Sequence, residues 1–153
     1  MKIGIIGSSP GNGHPFSFSS IINGFSDEGY KNSGWDGIHQ YLKKRNKSEF
    51  GFPGVKVTHA WTQNEIVTDK LCKASKIPNM VLKPEDLINE VDAVMIARDD
   101  YQSHYDLSSN FLDSGMKVFI DKPLTIKKRE LKYFKSFLIN GQLMSCSGLR
   151  YAS

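Results

Sequence analysis

Lys122 lies in the run Lys117-Val118-Phe119-Ile120-Asp121-Lys122-Pro123, where a short apolar segment delivers an acid, an amine and a proline at its carboxyl end. Gly115 stops the helical pattern before this run, and Pro123 prevents the segment from continuing as an ordinary central strand. The carboxyl ends of strands are where open α/β sheets keep their active sites. An amine fixed there can give or take a proton. The plain alternative is a charged strand end that surfaces before a turn, so the rest of the chain has to decide.

A second cluster follows the first apolar run: Gly7-Ser8-Ser9-Pro10-Gly11-Asn12-Gly13-His14-Pro15, with an amphipathic segment directly after it. Strand, glycine turn and helix make a pyrophosphate site. Gly7 permits a tight turn, Gly11 or Gly13 lets the backbone approach the phosphates, and Ser8 and Ser9 add hydroxyl donors. Free amides at the helix start, where His14 stands, are expected to add donors and the positive end of the dipole. The spelling G-x-x-x-G-x-G departs from G-x-G-x-x-G, and a flexible turn is its plain alternative.

Dinucleotide sites also place an acid at the end of the second strand, where it holds the adenosine ribose. Here that end reads His59-Ala60-Trp61-Thr62-Gln63, without an acid, and Glu65 is assigned to a capping box opened by Thr62. The choice between NAD and NADP is therefore open. Trp61 either stacks on an adenine or packs in the core.

These clusters need a frame that brings strand ends together. Short apolar runs at residues 2–6, 55–61, 79–82, 93–97, 117–120 and 143–147 alternate with segments of helical period, the pattern of βαβ units. The expected fold is α/β: a doubly wound, mostly parallel sheet of the Rossmann type, with about six strands and helices on both faces. Ser103 and Thr125 are expected N-caps, and Gly115 and Gly141 helix stops. Residues 26–54 interrupt the alternation as an insertion, with a helix expected over 36–44.

The chain of 153 residues is long enough for one domain with a core, and no apolar run approaches a bilayer's thickness. Lys43, Lys44, Arg45 and Lys47 form the largest basic run in a chain of net charge +4. It reads as a solvated helix terminus rather than a nucleic-acid patch, since no recognition motif accompanies it. Cys72 and Cys146 form no metal-like cluster and no disulfide framework, so reduced thiols in the cytoplasm are expected, with no metal and no membrane partner.

Three features fall in order along the chain: the glycine loop, the run Val94-Met95-Ile96-Ala97-Arg98-Asp99-Asp100 with His104 beyond it, and Asp121-Lys122-Pro123. Together they make the chain resemble the Gfo/Idh/MocA family of NAD(P)-dependent oxidoreductases, over its amino-terminal nucleotide-binding half. The resemblance implies that Lys122 lies beside the nicotinamide and assists proton transfer to or from the substrate oxygen. It places Asp121 where the family usually has Glu, and matches Pro123 to a proline whose peptide bond can be cis. Arg98-Asp99-Asp100 stands where Thr-Pro-Asn is usual, His104 matches a histidine of the following helix, and residues 147–151 resemble the exit toward a second domain. The glycine loop would also suit a short-chain dehydrogenase, but Tyr41, Tyr101, Tyr105 and Tyr133 lack the lysine that family places four residues on.

The resemblance further implies hydride transfer between NAD or NADP and a small, sugar-like or cyclitol-like hydroxyl. Residues 1–153 would form a single dinucleotide-binding domain, with the family's substrate domain and its homo-oligomer interface lying outside them. The chain alone is then expected to bind a dinucleotide without turning over a sugar. The alternative is a non-catalytic nucleotide-binding module, which would account for the missing acid after Trp61 and for the irregular glycine loop.

Overall fold

A computed structural model describes residues 1–147. Each apolar run forms a strand: β1 Lys2–Ile6, β2 Lys56–Trp61, β3 Asn79–Met80, β4 Ala93–Ile96, β5 Lys117–Ile120 and β6 Leu143–Ser145. All pair in parallel, in the order β3-β2-β1-β4-β5-β6. This is the doubly wound order, and the chain reverses direction across the sheet between β1 and β4, which opens a crevice at their carboxyl ends.

Side chains alternate between two layers. Ile3, Ile5, Val57 and Ala60 pack under α1 (His14–Asn23) and α4 (Glu65–Ser75). Ile6, Val94, Ile96, Val118 and Ile120 pack under α5 (Tyr101–Asp113) and α6 (Lys128–Ile139). Val57 and Ala60 share a layer despite their odd spacing because the pairing of β1 with β2 skips Thr58, a bulge that resets the alternation. Among the described residues no helix is long and apolar enough to cross a membrane.

The segment 26–54 is built into the first layer rather than laid over it. It carries α2 (Asp27–Tyr30) and α3 (Asp36–Lys43). Tyr30 is fully buried and shares a hydrogen bond with Ser20 Oγ at 2.8 Å, while Leu42 of α3 is also in the core. Phe25 and Phe50 meet edge to face across the segment, 5.4 Å between ring centroids.

The caps differ from the sequence expectation. Asn64, not Thr62, caps α4: its Oδ1 accepts from the amides of Ile66 (3.0 Å) and Val67 (3.2 Å). Thr62 is buried, and its hydroxyl donates to the Asn64 carbonyl instead. α5 begins at Tyr101, so Ser103 lies inside the helix, and α6 begins after Lys127, whose amide donates to Thr125 Oγ1. Gly115 and Gly141 do follow the ends of α5 and α6, both at positive φ.

Candidate functional site

Four strand ends converge on the crevice, and side chains tie them together. The loop after β1 is joined to the end of β4 by the Ser9 hydroxyl, which donates to the Asp99 carboxylate, and the Asp99 amide returns a bond to Ser9 Oγ at 3.3 Å. The start of α1 is joined to the end of β5 by a hydrogen bond between His14 Nδ1 and Asp121 Oδ2. Asp121 is only 2% exposed, and its other oxygen accepts the Lys122 amide at 2.8 Å. His14 is held from its other side by stacking on Phe18, 5.0 Å between ring centroids.

Gln63 makes the third tie, and sequence reasoning passed over it. Its Nε2 donates to the Ser8 carbonyl (2.6 Å), and its Oε1 accepts from the Ser8 amide (3.1 Å) and from Arg98 (2.9 Å). Arg98 also grips Asp100 through two bonds, of 2.8 and 2.7 Å. Burial alone would raise the Asp100 carboxyl, but the Arg98 guanidinium holds it below its ordinary range. The guanidinium is thus spent on protein partners.

His104 is likewise a tie rather than an open contact. It is fully buried in α5, with Nδ1 against the Leu124 carbonyl (3.0 Å) and Nε2 against the Arg98 carbonyl (2.9 Å). Both ring nitrogens face protein, so His104 pins the loop after β4 to the loop after β5.

The start of α1 corrects the expectation of free amides. The His14 amide donates to Asn12 Oδ1 at 2.8 Å, Pro15 has no N–H, and the amides of Phe16 and Ser17 bond the Gly13 carbonyl. The donors that stay open lie one step earlier: the amides of Ser9, Gly11 and Gly13 have no acceptor among the described residues. Gly11 has φ +76° with no atom near the place a Cβ would take, so the loop tip is accessible. Gly13 is enclosed instead, because a Cβ on it would fall 2.4 Å from Ile38 Cδ1 and 2.7 Å from Trp35 Cε3. The segment 26–54 therefore braces the glycine loop. Gly7–Ser8 and Lys122–Pro123 are both cis peptide bonds.

Charge gathers at the β4 and β5 ends. The Ser9 hydroxyl holds the Asp99 carboxyl below its ordinary range, against partial burial and with smaller help from Asn12 and Lys122. Asn12 Nδ2 is buried without a partner at hydrogen-bonding length. The Lys122 side chain is exposed, and among the described residues its ammonium has no ion-pair partner.

At the other end of the crevice, Trp61 donates from Nε1 to the Leu82 carbonyl (3.1 Å) and borders a cavity of about 200 Å3 beyond β2 and β3. Glu65 lines the same cavity. With Asn64 as the cap, Glu65 is released from the role the capping box had assigned to it, and its carboxylate borders the cavity beside Trp61.

A family model described as an oxidoreductase family with an NAD-binding Rossmann fold matches residues 1–140. The chain belongs to the Gfo/Idh/MocA family. Comparison with curated proteins finds no match. Among solved structures, myo-inositol 2-dehydrogenase from Lactobacillus plantarum superposes with a TM-score of 0.66 at 16% identity, covering 100% of this chain and 38% of that one. Apo scyllo-inositol dehydrogenase from Lactobacillus casei gives 0.62 at 15% identity, covering 95% and 36%. A Gfo/Idh/MocA family oxidoreductase from Vibrio cholerae gives 0.63 at 20% identity, covering 95% and 38%. At these identities the likeness establishes the fold, and this chain spans less than two fifths of each of those relatives.

Open amides at Ser9, Gly11 and Gly13, the unpartnered Asn12 Nδ2 and the Trp61–Glu65 cavity fit a dinucleotide laid across the crevice. The exit segment expected over residues 147–151 falls, apart from Ser147, outside the described residues.

Proposed function

We propose that this chain is the nucleotide-binding part of an NAD-dependent dehydrogenase that acts on a hydroxyl-bearing carbon of a sugar or cyclitol. The observation that carries this reading is the meeting of Lys122, His14, Asp121 and Asp99 at the carboxyl ends of β4 and β5, next to the glycine loop. NAD supplies hydride acceptance at its nicotinamide. Every other part falls to the protein.

The open amides of the loop bind pyrophosphate, with Gly11 as the point of closest approach. Glu65 accepts from a ribose hydroxyl, and because a carboxylate repels a 2′-phosphate, NAD is preferred to NADP. Asp99, held ionised, lies where a positive nicotinamide ring gains from a nearby negative charge. Lys122 Nζ moves the proton of the substrate hydroxyl, and His14, oriented through Nδ1 by Asp121, presents Nε2 as the onward relay. The inositol dehydrogenases among the similar structures support a polyol substrate.

One observation favours the second reading, a non-catalytic nucleotide module: the Ser9 hydroxyl, a donor suited to phosphate, is engaged by Asp99. Lys122→Met separates the two. In the natural protein the dehydrogenase reading requires hydride transfer to fall at least about 10²-fold, with NADH affinity kept. An unchanged rate, or NADH binding without any turnover of polyols in the natural protein, would favour the module.

A further inference from the structure

A cavity of about 590 Å3 opens at the amino-terminal edge of the sheet, the end opposite the crevice. It lies where α1 ends at Asn23, α4 ends at Ser75 and β2 begins at Lys56. Lys43, Lys47, Lys56 and Lys76 line it, and none of them has a carboxylate within ion-pairing distance among the described residues. Arg45 also lines it but is neutralised by Glu49. Among the described residues the only lining carboxylate is Asp27, which is already bonded to His39 at 2.7 Å.

The simple account is that these lysines complement helix carboxyl ends. The magnitudes do not close. α1, α3 and α4 end at or beside the cavity, and each terminus carries about half a negative charge, so together they offset roughly 1.5 charges. Four unpaired ammonium groups against Asp27 leave an excess above that, close to the charge of about −1.5 to −2 on a phosphate monoester at neutral pH. Lys76 also occupies a left-handed position, φ 52°, that glycine would take at lower cost, and its Nζ lies 4.0 Å from where a Cβ on Gly24 would stand. A lysine is held over the α1 terminus where a side chain is disfavoured.

We infer that this cavity binds a phosphomonoester, with the phosphate among Lys43, Lys47, Lys56 and Lys76 and the organic body against the rings of Phe25 and Phe50. The volume is far larger than a phosphate needs and sits within the range of small-molecule sites, about 300–1,000 Å3. The basic run of α3 and the residues after it thereby gains a role beyond solvation, on a concave surface rather than the extended stripe that a nucleic acid would need.

The test is a titration of the 15N-labelled chain with glucose 6-phosphate, followed by amide shifts. The signals of Gly24, Gly51 and Lys76 are expected to move and saturate, while glucose leaves them unmoved. Rising salt should weaken the effect. The double substitution Lys56→Gln with Lys76→Gln should weaken binding about tenfold or more. The pair Lys43→Gln with Lys47→Gln, two exposed residues at the end of α3 and in the turn after it, should do the same. Shifts confined to the glycine loop, or affinity unchanged in both double variants, would overturn the inference. Inorganic phosphate binding as tightly as the ester would overturn its assignment to an organic phosphate.

Discussion

His14 and Asp121 stand 107 residues apart in the chain and share a hydrogen bond that closes the crevice between the glycine loop and the Asp-Lys-Pro turn. The carboxylate is buried and clamped by the Lys122 amide, so it fixes which ring nitrogen of His14 faces inward and which faces the site.

Asp121→Asn should therefore act through His14. The amide keeps the shape but can offer Nδ1 either an acceptor or a donor, so the ring is no longer held in one orientation and hydride transfer by the natural protein should drop about 10- to 100-fold. NADH affinity should change little. Stopped-flow reduction of NAD and fluorescence titration with NADH check the two, and an unchanged rate of hydride transfer would remove His14 from the relay.

Glu65 is the proposed determinant of cofactor choice. Glu65→Gln should weaken NADH binding about tenfold while NADPH binding holds or improves. Fluorescence titration with the two nucleotides reads this directly; parallel losses for both would place the ribose elsewhere.

Gly13→Ala tests the brace. The new methyl would meet Ile38 and Trp35 closer than atoms can approach, so α3 must shift, at a cost of about 1–3 kcal/mol in urea unfolding. Adding Ile38→Ala should return part of that loss, since the two positions share one space.

Cys72 should be inert in the folded chain. Burial, helped by the nearby Asp69 charge, pushes its thiol up to about 12, so at pH 8 almost no thiolate exists to react. Iodoacetamide should leave Cys72 unmodified until urea unfolds the protein, as peptide mass spectrometry would show.

Much of this architecture was legible in the sequence because it depends on local patterns. Apolar runs bounded by Gly and Pro marked the strands within a few residues, and Gly115 and Gly141 marked helix ends through the left-handed backbone they adopt. The expected helix over 36–44 corresponds to α3. Local pattern misled where two residues compete for one role. Thr62 and Asn64 both suit an N-cap, and only the burial of Thr62 against Thr68 gave the cap to Asn64 and released Glu65.

By itself, the sequence determined the alternation of strands and helices and the order in which Gly7, Asp99 and Lys122 follow strand ends, because periodicity and chain order are properties of a line. Which of those ends meet was decided only in three dimensions. Placing β4 beside β1 and β5 beside β4 sets Ser9 on Asp99 and His14 on Asp121. Contacts between residues 90 and 107 positions apart leave no periodic trace, since they depend on how the layers pack and not on any neighbour in the chain.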